Sequence, residues 1–585
     1  MTSAETTAER PRLLILYGSQ TGCAADMADR VRREAKRRHF RPALFAMDEY
    51  DRAQLVNERL AIFVCSTTGQ GEEPDNMKKF WRFLMRKDLP KGALAQLRFA
   101  VFGLGDSSYE KFNYPGKKLH KRLMQLGAQP YHPRGDGDDQ HYLGQDGALD
   151  PWLDGVWNVL MQAYPLPAGL SALPDDVLYP WMQFADALDS AIQTTASTST
   201  DRYLATLTRN ERVTPHSHFQ DVRLLEFQLD NRPFEPGDIL DIMPENLESD
   251  VNDFLEHTGL VVCADRPFRF RETDPEHRLP SALRGTLTLR DLCRRWLDVF
   301  SIPRRSFFEF AAHFTKDPEH AEKLREFNSA AGQDDLYAYC HRMRRTTFEV
   351  LQDFRSIEIP LDYLLDVFPL LRPRQFSIAS SPTMYPDRVH LLMGVVKYRT
   401  RLSTPRTGVC TRWIAQLDPT KQVSVGFRQG TMRLPTQPVP IVLIAPGLGV
   451  APMRSLLQKR IECGQHDNIL IFGCRHHAAD YYCADEWEQM CGSGMLQLFT
   501  AFSRDQDEKR YVQHAIREQA QVLWAAIHTR GGAIYLCGKS TRMPEDVAEA
   551  LCDVFAEQGG MSLSDAKAYL QGLKRVGRFQ QECWD

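Results

Sequence analysis

The stretch Leu13-Leu14-Ile15-Leu16-Tyr17-Gly18-Ser19-Gln20-Thr21-Gly22-Cys23 decides how the chain is read. An unbroken apolar run is what a strand buried on both faces requires, and such strands belong to parallel sheets covered by helices. Small hydroxyl and glycine residues follow, and then a helical pattern over 24–38. Between a strand and a helix, such residues turn backbone N–H groups inward, and the helix N-terminus adds partial positive charge, so the loop suits a phosphate. It is not a Walker loop, because no Lys-Ser/Thr closes it, and its glycine spacing is not that of a dinucleotide fingerprint. On its own the loop also fits a plain strand–helix turn.

Two further units repeat the pattern. Leu60-Ala61-Ile62-Phe63-Val64-Cys65 runs into Ser66-Thr67-Thr68-Gly69-Gln70-Gly71-Glu72. Phe99-Ala100-Val101-Phe102-Gly103 runs into Leu104-Gly105-Asp106-Ser107-Ser108-Tyr109, with Phe112-Asn113 just beyond. Ligands of open parallel sheets sit outside the carboxyl ends of the strands, so these loops converge on one ligand. The first loop takes its phosphate and the other two flank a flat ring. Tyr109 is the stacking residue, the alternative being an ordinary core or surface tyrosine.

Over 13–164 the chain resembles flavodoxin-like FMN domains, on Gly-Ser-Gln-Thr-Gly, Ser-Thr-Thr-Gly-Gln-Gly and Gly-Leu-Gly-Asp-Ser-Ser-Tyr at these positions. The resemblance implies FMN contacts from residues Ser19 to Cys23, Ser66 to Gly71, Leu104 to Tyr109, Phe112 and Asn113. It also implies an acidic loop by the ring, matched by Gly135-Asp136-Gly137-Asp138-Asp139, with Asp139 at the cofactor. Thr68 departs from the second stacking aromatic of the microsomal monooxygenase reductase.

Two charge features stand out. Arg30, Arg32, Arg33, Lys36, Arg37 and Arg38 crowd one helix, as a solvated face or as a phosphate or partner site. Glu72, Glu73, Asp75, Asp106, Asp136, Asp138 and Asp139 form an acidic rim, which would steer a basic acceptor and disfavour an anionic reduced flavin.

Residues 165–201 lose regular pattern and end in Thr194-Thr195-Ala196-Ser197-Thr198-Ser199-Thr200, a linker or hinge with a short helical piece. Strand-like alternation returns at 203–207, 221–229 and 237–243; a helical pattern fills about 247–367; strands resume at 374–379 and 390–398. A helical insert within a small β-barrel accounts for this order. Arg374-Gln375-Phe376-Ser377 offers a guanidinium fork for a diphosphate, a ring to stack on a flat cofactor and a hydroxyl for a ring nitrogen. Thr407-Gly408-Val409-Cys410-Thr411 before a helix over 412–417 again suits a diphosphate. Together these resemble the FAD site of ferredoxin-NADP reductases, with Arg374, Gln375, Phe376, Ser377, Gly408, Val409, Cys410 and Thr411 as contacts. Phe376 stands where that family usually has tyrosine.

Pro440-Ile441-Val442-Leu443-Ile444 leads into Ala445-Pro446-Gly447-Leu448-Gly449 and a helix. Strands ending in Gly473-Cys474-Arg475 and Cys537-Gly538 complete a second doubly wound sheet. Ser503-Arg504 and Lys509-Arg510-Tyr511-Val512-Gln513 bring cations, hydroxyls and an amide suited to the 2′-phosphate of NADPH. Gly447, Gly449, Cys474, Arg475, Ser503, Arg504, Lys509, Tyr511 and Gln513 are the expected nicotinamide-nucleotide contacts. Leu448 and Lys539 depart from a frequent threonine and aspartate of the family pattern. The chain ends Glu582-Cys583-Trp584-Asp585.

The order of FMN domain, linker, FAD domain with insert and NADPH domain resembles the diflavin reductases over nearly the whole chain. That resemblance implies Ser377, Cys537, Glu582 and Trp584 as the hydride-transfer group, Trp584 covering the FAD ring. The expected architecture is multidomain α/β and β-barrel. It has an N-terminus expected to be disordered at 1–12, a flavodoxin-like doubly wound FMN-binding domain at 13–164 and a linker or hinge at 165–201. A ferredoxin-NADP-reductase-like FAD β-barrel follows at 202–436, and a doubly wound NADP-binding domain at 437–585. Within the group, the soluble members of cytosolic iron–sulfur protein assembly match best, which implies an anamorsin-like iron–sulfur acceptor. A sulfite-reductase flavoprotein, a methionine synthase reductase, a monooxygenase reductase without its anchor, or a non-catalytic scaffold are the alternatives.

Composition agrees with this class. At 585 residues, 43% hydrophobic and 25% charged, the chain is long enough for several globular domains. A net charge of -4 argues against a nucleic-acid binder. No apolar run reaches membrane-spanning length, and the 13 scattered cysteines, with no C-x-x-C pair, read as reduced thiols without a metal site. A cytoplasmic monomer is expected.

Overall fold

The computed structural model describes residues 11–584 apart from 70, 110, 168, 176, 188–201, 231 and 274–278. It divides into two compact units, one built from 1–196 and 248–370, the other from 197–247 and 371–585.

The first unit opens with β1 (Arg12–Gly18), α1 (Cys23–Arg37), β2 (Arg41–Ala46), β3 (Leu60–Ser66), β4 (Arg98–Gly105), β5 (Gln129–Pro130) and β6 (Gly135–Asp138). The strands are parallel, in the order β2-β1-β3-β4-β5, with β6 also pairing with β4. This is the flavodoxin order, whose switch point lies between the first and third strands. Leu13, Leu14, Ile15 and Leu16 are fully buried because alternate residues feed separate cores on the two faces of the sheet. The acidic Gly135-Asp136-Gly137-Asp138 stretch, expected as a loop, is strand β6. A Cβ on Gly135 would stand 2.4 Å from a Phe102 ring carbon and 2.8 Å from Trp152, so the glycines let this strand lie flat against aromatic rings.

The insert packs around its own aromatic core, including Phe254, Phe268, Phe308 and Phe368. It is not wholly helical: Pro267–Glu272 pairs with Leu287–Thr288 and with Met182–Asp186. The last of these lies inside the expected linker, which holds a strand there and no helix among its described residues up to 187. The remainder, 188–201, with any hinge, lies outside the described residues. Phe184 stacks on Phe268 with ring centroids 3.9 Å apart, and its N–H donates to Asp362 at 2.6 Å, so ring stacking and a half-buried hydrogen bond hold this strand to the insert.

The arginine-rich face of α1 is not solvated. It packs on the insert helix α2 (Arg305–Phe314). Arg32, Arg33 and Arg37 are nearly fully buried. Glu309 accepts from Arg33 at 2.8 Å and from Arg37 at 2.9 Å, while Arg305 and Arg30 share Asp150. The partner of this charged face is the chain's own insert.

The second unit holds an antiparallel sheet of β7 (Tyr203–Arg212), β8 (Val222–Gln228), β9 (Ile239–Ile242), β10 (Arg374–Ser377), β11 (Arg388–Gly394) and β12 (Gln422–Arg428). Its order is β10-β9-β12-β7-β8-β11. Just past β10, Ile378 bridges to Leu391 of β11, and Ala379 N–H donates to His390 O at 2.8 Å, so the two edges of the sheet meet. The helix expected at 412–417 begins earlier, spanning Val409–Ala415. A parallel sheet follows: β13 (Ile441–Pro446), β14 (Asn468–Cys474), β15 (Gln497–Phe502), β16 (Ala533–Lys539) and β17 (Phe579–Trp584), in the order β15-β14-β13-β16-β17. Its strand order reverses between β13 and β16, which is where a dinucleotide binds in such sheets.

Candidate active site

At the switch point of the first sheet, Gly22 adopts a left-handed φ of 101° that ends the loop and starts α1. Its N–H donates to Ser19 Oγ at 3.0 Å, and Ser19 N–H donates to Asn76 at 2.7 Å. The Gln20 amide pairs reciprocally with Asp75, at 2.8 and 3.0 Å. Ser66 Oγ reaches Gly18 O at 3.4 Å, tying the second loop to the first. Thr67 Oγ1 is buried without a hydrogen-bond partner among the described residues, a polar atom that an added ligand could satisfy. Thr68 and Glu72 close a tight turn through mutual backbone hydrogen bonds, with Gly71 at φ 91°. Gln70 lies outside the described residues.

In the third loop the Ser108 hydroxyl and amide donate to Asp106, and Ser107 N–H donates to Asp138 at 2.9 Å. Against a burial contribution that raises them, these hydrogen bonds hold both carboxyls below their ordinary range. Burial, then Asp106, raises Asp139. Asn113, fully buried at φ 51°, donates to Gly137 O at 3.1 Å, and a Cβ on Gly105 would stand 2.5 Å from its Oδ1. Leu104 is core. Tyr109 is 43% exposed, which rules out the core alternative and keeps the surface one; Phe112 is half-buried. The acidic rim is partly neutralised, with Glu73 on Lys118, Asp75 on Lys78 and Asp136 on Arg134, whereas Glu72 is exposed.

In the second unit Arg374 donates to Arg372 O at 2.7 Å, while burial pushes the Cys410 thiol up against the smaller opposing effect of the Arg374 charge. Gln375 is exposed and Phe376 half-buried. Thr411 Oγ1 accepts Val396 N–H at 3.0 Å and donates to Gly408 O at 3.4 Å. Cys410 and Thr411 are buried, so what this motif could offer a ligand is the backbone amides of Gly408, Val409, Cys410 and Thr411.

At the second switch point, a Cβ on Gly449 would lie 1.9 Å from Cys537 O: only glycine lets the β13 loop approach β16. Gly447 has φ 58°. Ser503 N–H donates to Cys474 O and Arg504 N–H to Arg475 O, both at 2.9 Å, so these two strand ends run side by side. Arg475 stacks 3.7 Å over the Phe219 ring. Arg504, Lys509 and Tyr511 are exposed, and neither cation has an acidic partner among the described residues. Two exposed cations without an acidic partner among the described residues suit a phosphate monoester. Arg510 is instead paired with Glu518, and Gln513 with Asp546 at 3.2 Å.

Strand β17, unmarked by any apolar run, brings the C-terminal residues to this edge. Its register sets Glu582 beside Cys537 and Trp584 beside Lys539. Ser377 Oγ donates to Glu582 Oε1 at 3.1 Å. Thr431, which no motif flags, donates to Glu582 Oε2 at 3.0 Å. Gln580 clips β17 to Arg433: its Oε1 accepts Arg433 N–H at 2.7 Å and its Nε2 donates to Arg433 O at 2.9 Å. Burial, then the Glu582 carboxylate, pushes the Cys537 thiol well above its ordinary range, so it keeps its proton. Trp584 is 39% exposed at the carboxyl end of the strand.

A flavodoxin-type sheet, an antiparallel FAD-type sheet and a nucleotide-binding sheet in this order make a multidomain flavoprotein oxidoreductase. Family models agree along the chain: flavodoxin over 15–152, FAD binding domain over 196–413 and oxidoreductase NAD-binding domain over 443–549. Curated relatives align nearly end to end. NADPH-dependent diflavin oxidoreductase 1 of Xenopus laevis is 46% identical, over 98% of this chain and 99% of its own. The proteins of that name from Bos taurus and Schizosaccharomyces pombe are 46% and 38% identical, each over 98% of this chain and 99% of their own. The chain belongs to the NADPH-dependent diflavin oxidoreductase family. It is therefore an NADPH-dependent flavoprotein oxidoreductase that uses FMN, FAD and NADPH. No helix among the described residues is long and apolar enough to cross a membrane.

Proposed function

We propose that this enzyme delivers single electrons to an iron–sulfur acceptor protein in the cytoplasm, working as a monomer. When bound, the nicotinamide supplies a hydride and the two flavins turn that two-electron input into one-electron output. The Ser377–Glu582 hydrogen bond beside Cys537 carries the reading of the chemical step. Ser377 Oγ gives its proton to a hydrogen bond with Glu582 Oε1, which fixes the hydroxyl's direction. Cys537 keeps a neutral S–H, and the Glu582 carboxylate balances positive charge arising at this edge. Trp584 shields the flavin ring from water until nicotinamide arrives.

The acceptor assignment is supported by the likeness to soluble members of iron–sulfur protein assembly and by the exposed acidic Glu72. With NADPH, the purified protein should reduce an iron–sulfur acceptor faster than a cytochrome or a cobalamin protein in direct competition; the opposite order would sink the assignment. Glu72→Lys should lower acceptor reduction about three- to tenfold at low salt, and the difference should vanish as salt rises. A rate unchanged at low salt would remove Glu72 from the docking surface. Ferricyanide reduction, which needs no docking site, should stay as it was.

A further inference from the structure

We propose that Arg304, in the insert, is a positioning residue for the FMN phosphate loop, polarising the peptide units from which that loop holds its anion. The guanidinium donates to Gly22 O at 2.8 Å and to Thr21 O at 2.9 Å. Each carbonyl shares a planar peptide unit with the next N–H: Thr21 O with Gly22 N–H, and Gly22 O with Cys23 N–H. A cation at the oxygen end of an amide strengthens the donor at its nitrogen end, and hydrogen bonds in series reinforce one another. One such series is complete here. Arg304 binds Thr21 O, and Gly22 N–H in turn donates to Ser19 Oγ at 3.0 Å, which leaves the Ser19 proton to donate onward.

The neighbours hold this contact in place. Arg305 grips Asp150 at 2.7 Å, and Ser306 Oγ donates to Asp26 Oδ1 at 2.5 Å, in the first turn of α1. Arg304 and Ser306 thus clamp the start of α1 while Arg305 holds the helix Asp146–Ala163, and of the three only Arg304 reaches the loop carbonyls. Because the clamp and the loop belong to distant segments, phosphate binding and the packing of the insert on the flavodoxin sheet strengthen each other by the same factor.

The proposal rests on the assignment of residues 19–23 to the FMN phosphate. The full-length protein, stripped of FMN, is titrated with FMN and with riboflavin, which lacks the phosphate, and flavin fluorescence is followed. Wild type should prefer FMN. Arg304→Ala should weaken FMN binding about tenfold and leave riboflavin binding and FAD content unchanged. Arg304→Lys, a point charge without the two-pronged fork, should restore only part of the loss. Equal loss of FMN and riboflavin would mean a general structural role and overturn the proposal, as would unchanged FMN affinity. A wild type that binds both flavins equally would instead overturn the loop assignment itself.

Discussion

Ser377→Ala is expected to lower the rate of NADPH-dependent flavin reduction about a hundredfold, the lower end of what a positioned proton-handling group contributes. Ser377 Oγ is oriented by one carboxylate oxygen of Glu582, whose other oxygen is held by Thr431. Removing the hydroxyl leaves Glu582 without one of those partners beside the protonated Cys537 thiol. Glu582→Gln keeps the hydrogen-bonding shape and loses the charge, so it should slow the same step. Thr431→Val should have a smaller effect of the same kind, roughly fivefold, because one net hydrogen bond is worth about 1 kcal/mol. Stopped-flow absorbance under anaerobic single turnover separates these outcomes from effects on acceptor reduction. NADPH deuterated at the transferred position should show a larger isotope effect in Ser377→Ala, since hydride transfer then limits the rate. A Ser377→Ala variant with wild-type single-turnover rates would remove Ser377, and with it the Ser377–Glu582 pair, from the chemical step.

The doubly wound parts of the fold were legible because burial on both faces leaves an apolar run in the chain, as at Leu13-Leu14-Ile15-Leu16. The glycines at positive φ or at close approach, such as Gly22 and Gly449, were legible because no other residue fits there. Strand β17 was not: Phe579–Trp584 is an edge strand, mostly half-buried, and carries no apolar run or clean alternation. Trp584 and Glu582 were found through family likeness, not through a strand signal. The Met182–Asp186 strand was hidden for a related reason, since its pairing with Pro267–Glu272 spans a long sequence separation. Thr431 and Arg304 sit in no pattern, and each meets its partners from a segment distant in sequence. The arginine face of α1 misled most. A run of charges reads as solvated unless its counter-ions are known, and Glu309 lies 276 residues from Arg33.

That buried ion cluster is the place where one substitution should loosen the first unit most. Glu309→Ala strips two arginines of their shared carboxylate, leaving Arg33 with Asp29 and Arg37 with the exposed Asp175, and breaking a buried ion pair costs roughly 3 to 5 kcal/mol. The carboxyl resists its own burial because Arg33 and Arg37 together hold it down to about 2, from an ordinary 4.5. A depressed carboxyl contributes stability above its unfolded value, and that contribution is lost as pH falls from about 4.5 toward 2. Asp366, on the same side of α1, behaves in the opposite sense. Burial raises it to about 8, with Arg32 only within 3.8 Å, so it is mostly protonated at neutral pH. A raised carboxyl contributes stability at low pH and loses it as pH rises toward 8, so the two groups tilt the cluster in opposite directions. Asp366→Asn should therefore remove the alkaline loss and leave the acid loss, whereas Glu309→Gln should do the reverse. Because a chain of several domains has no single unfolding free energy, the readout is hydrogen exchange of the amides in α1 and α2 across pH. Glu309→Ala should speed that exchange by at least a hundredfold at neutral pH, the equivalent of about 3 kcal/mol of local opening. Unchanged protection in α1 and α2 would mean that apolar packing, and not the shared carboxylate, holds the insert to the flavodoxin sheet.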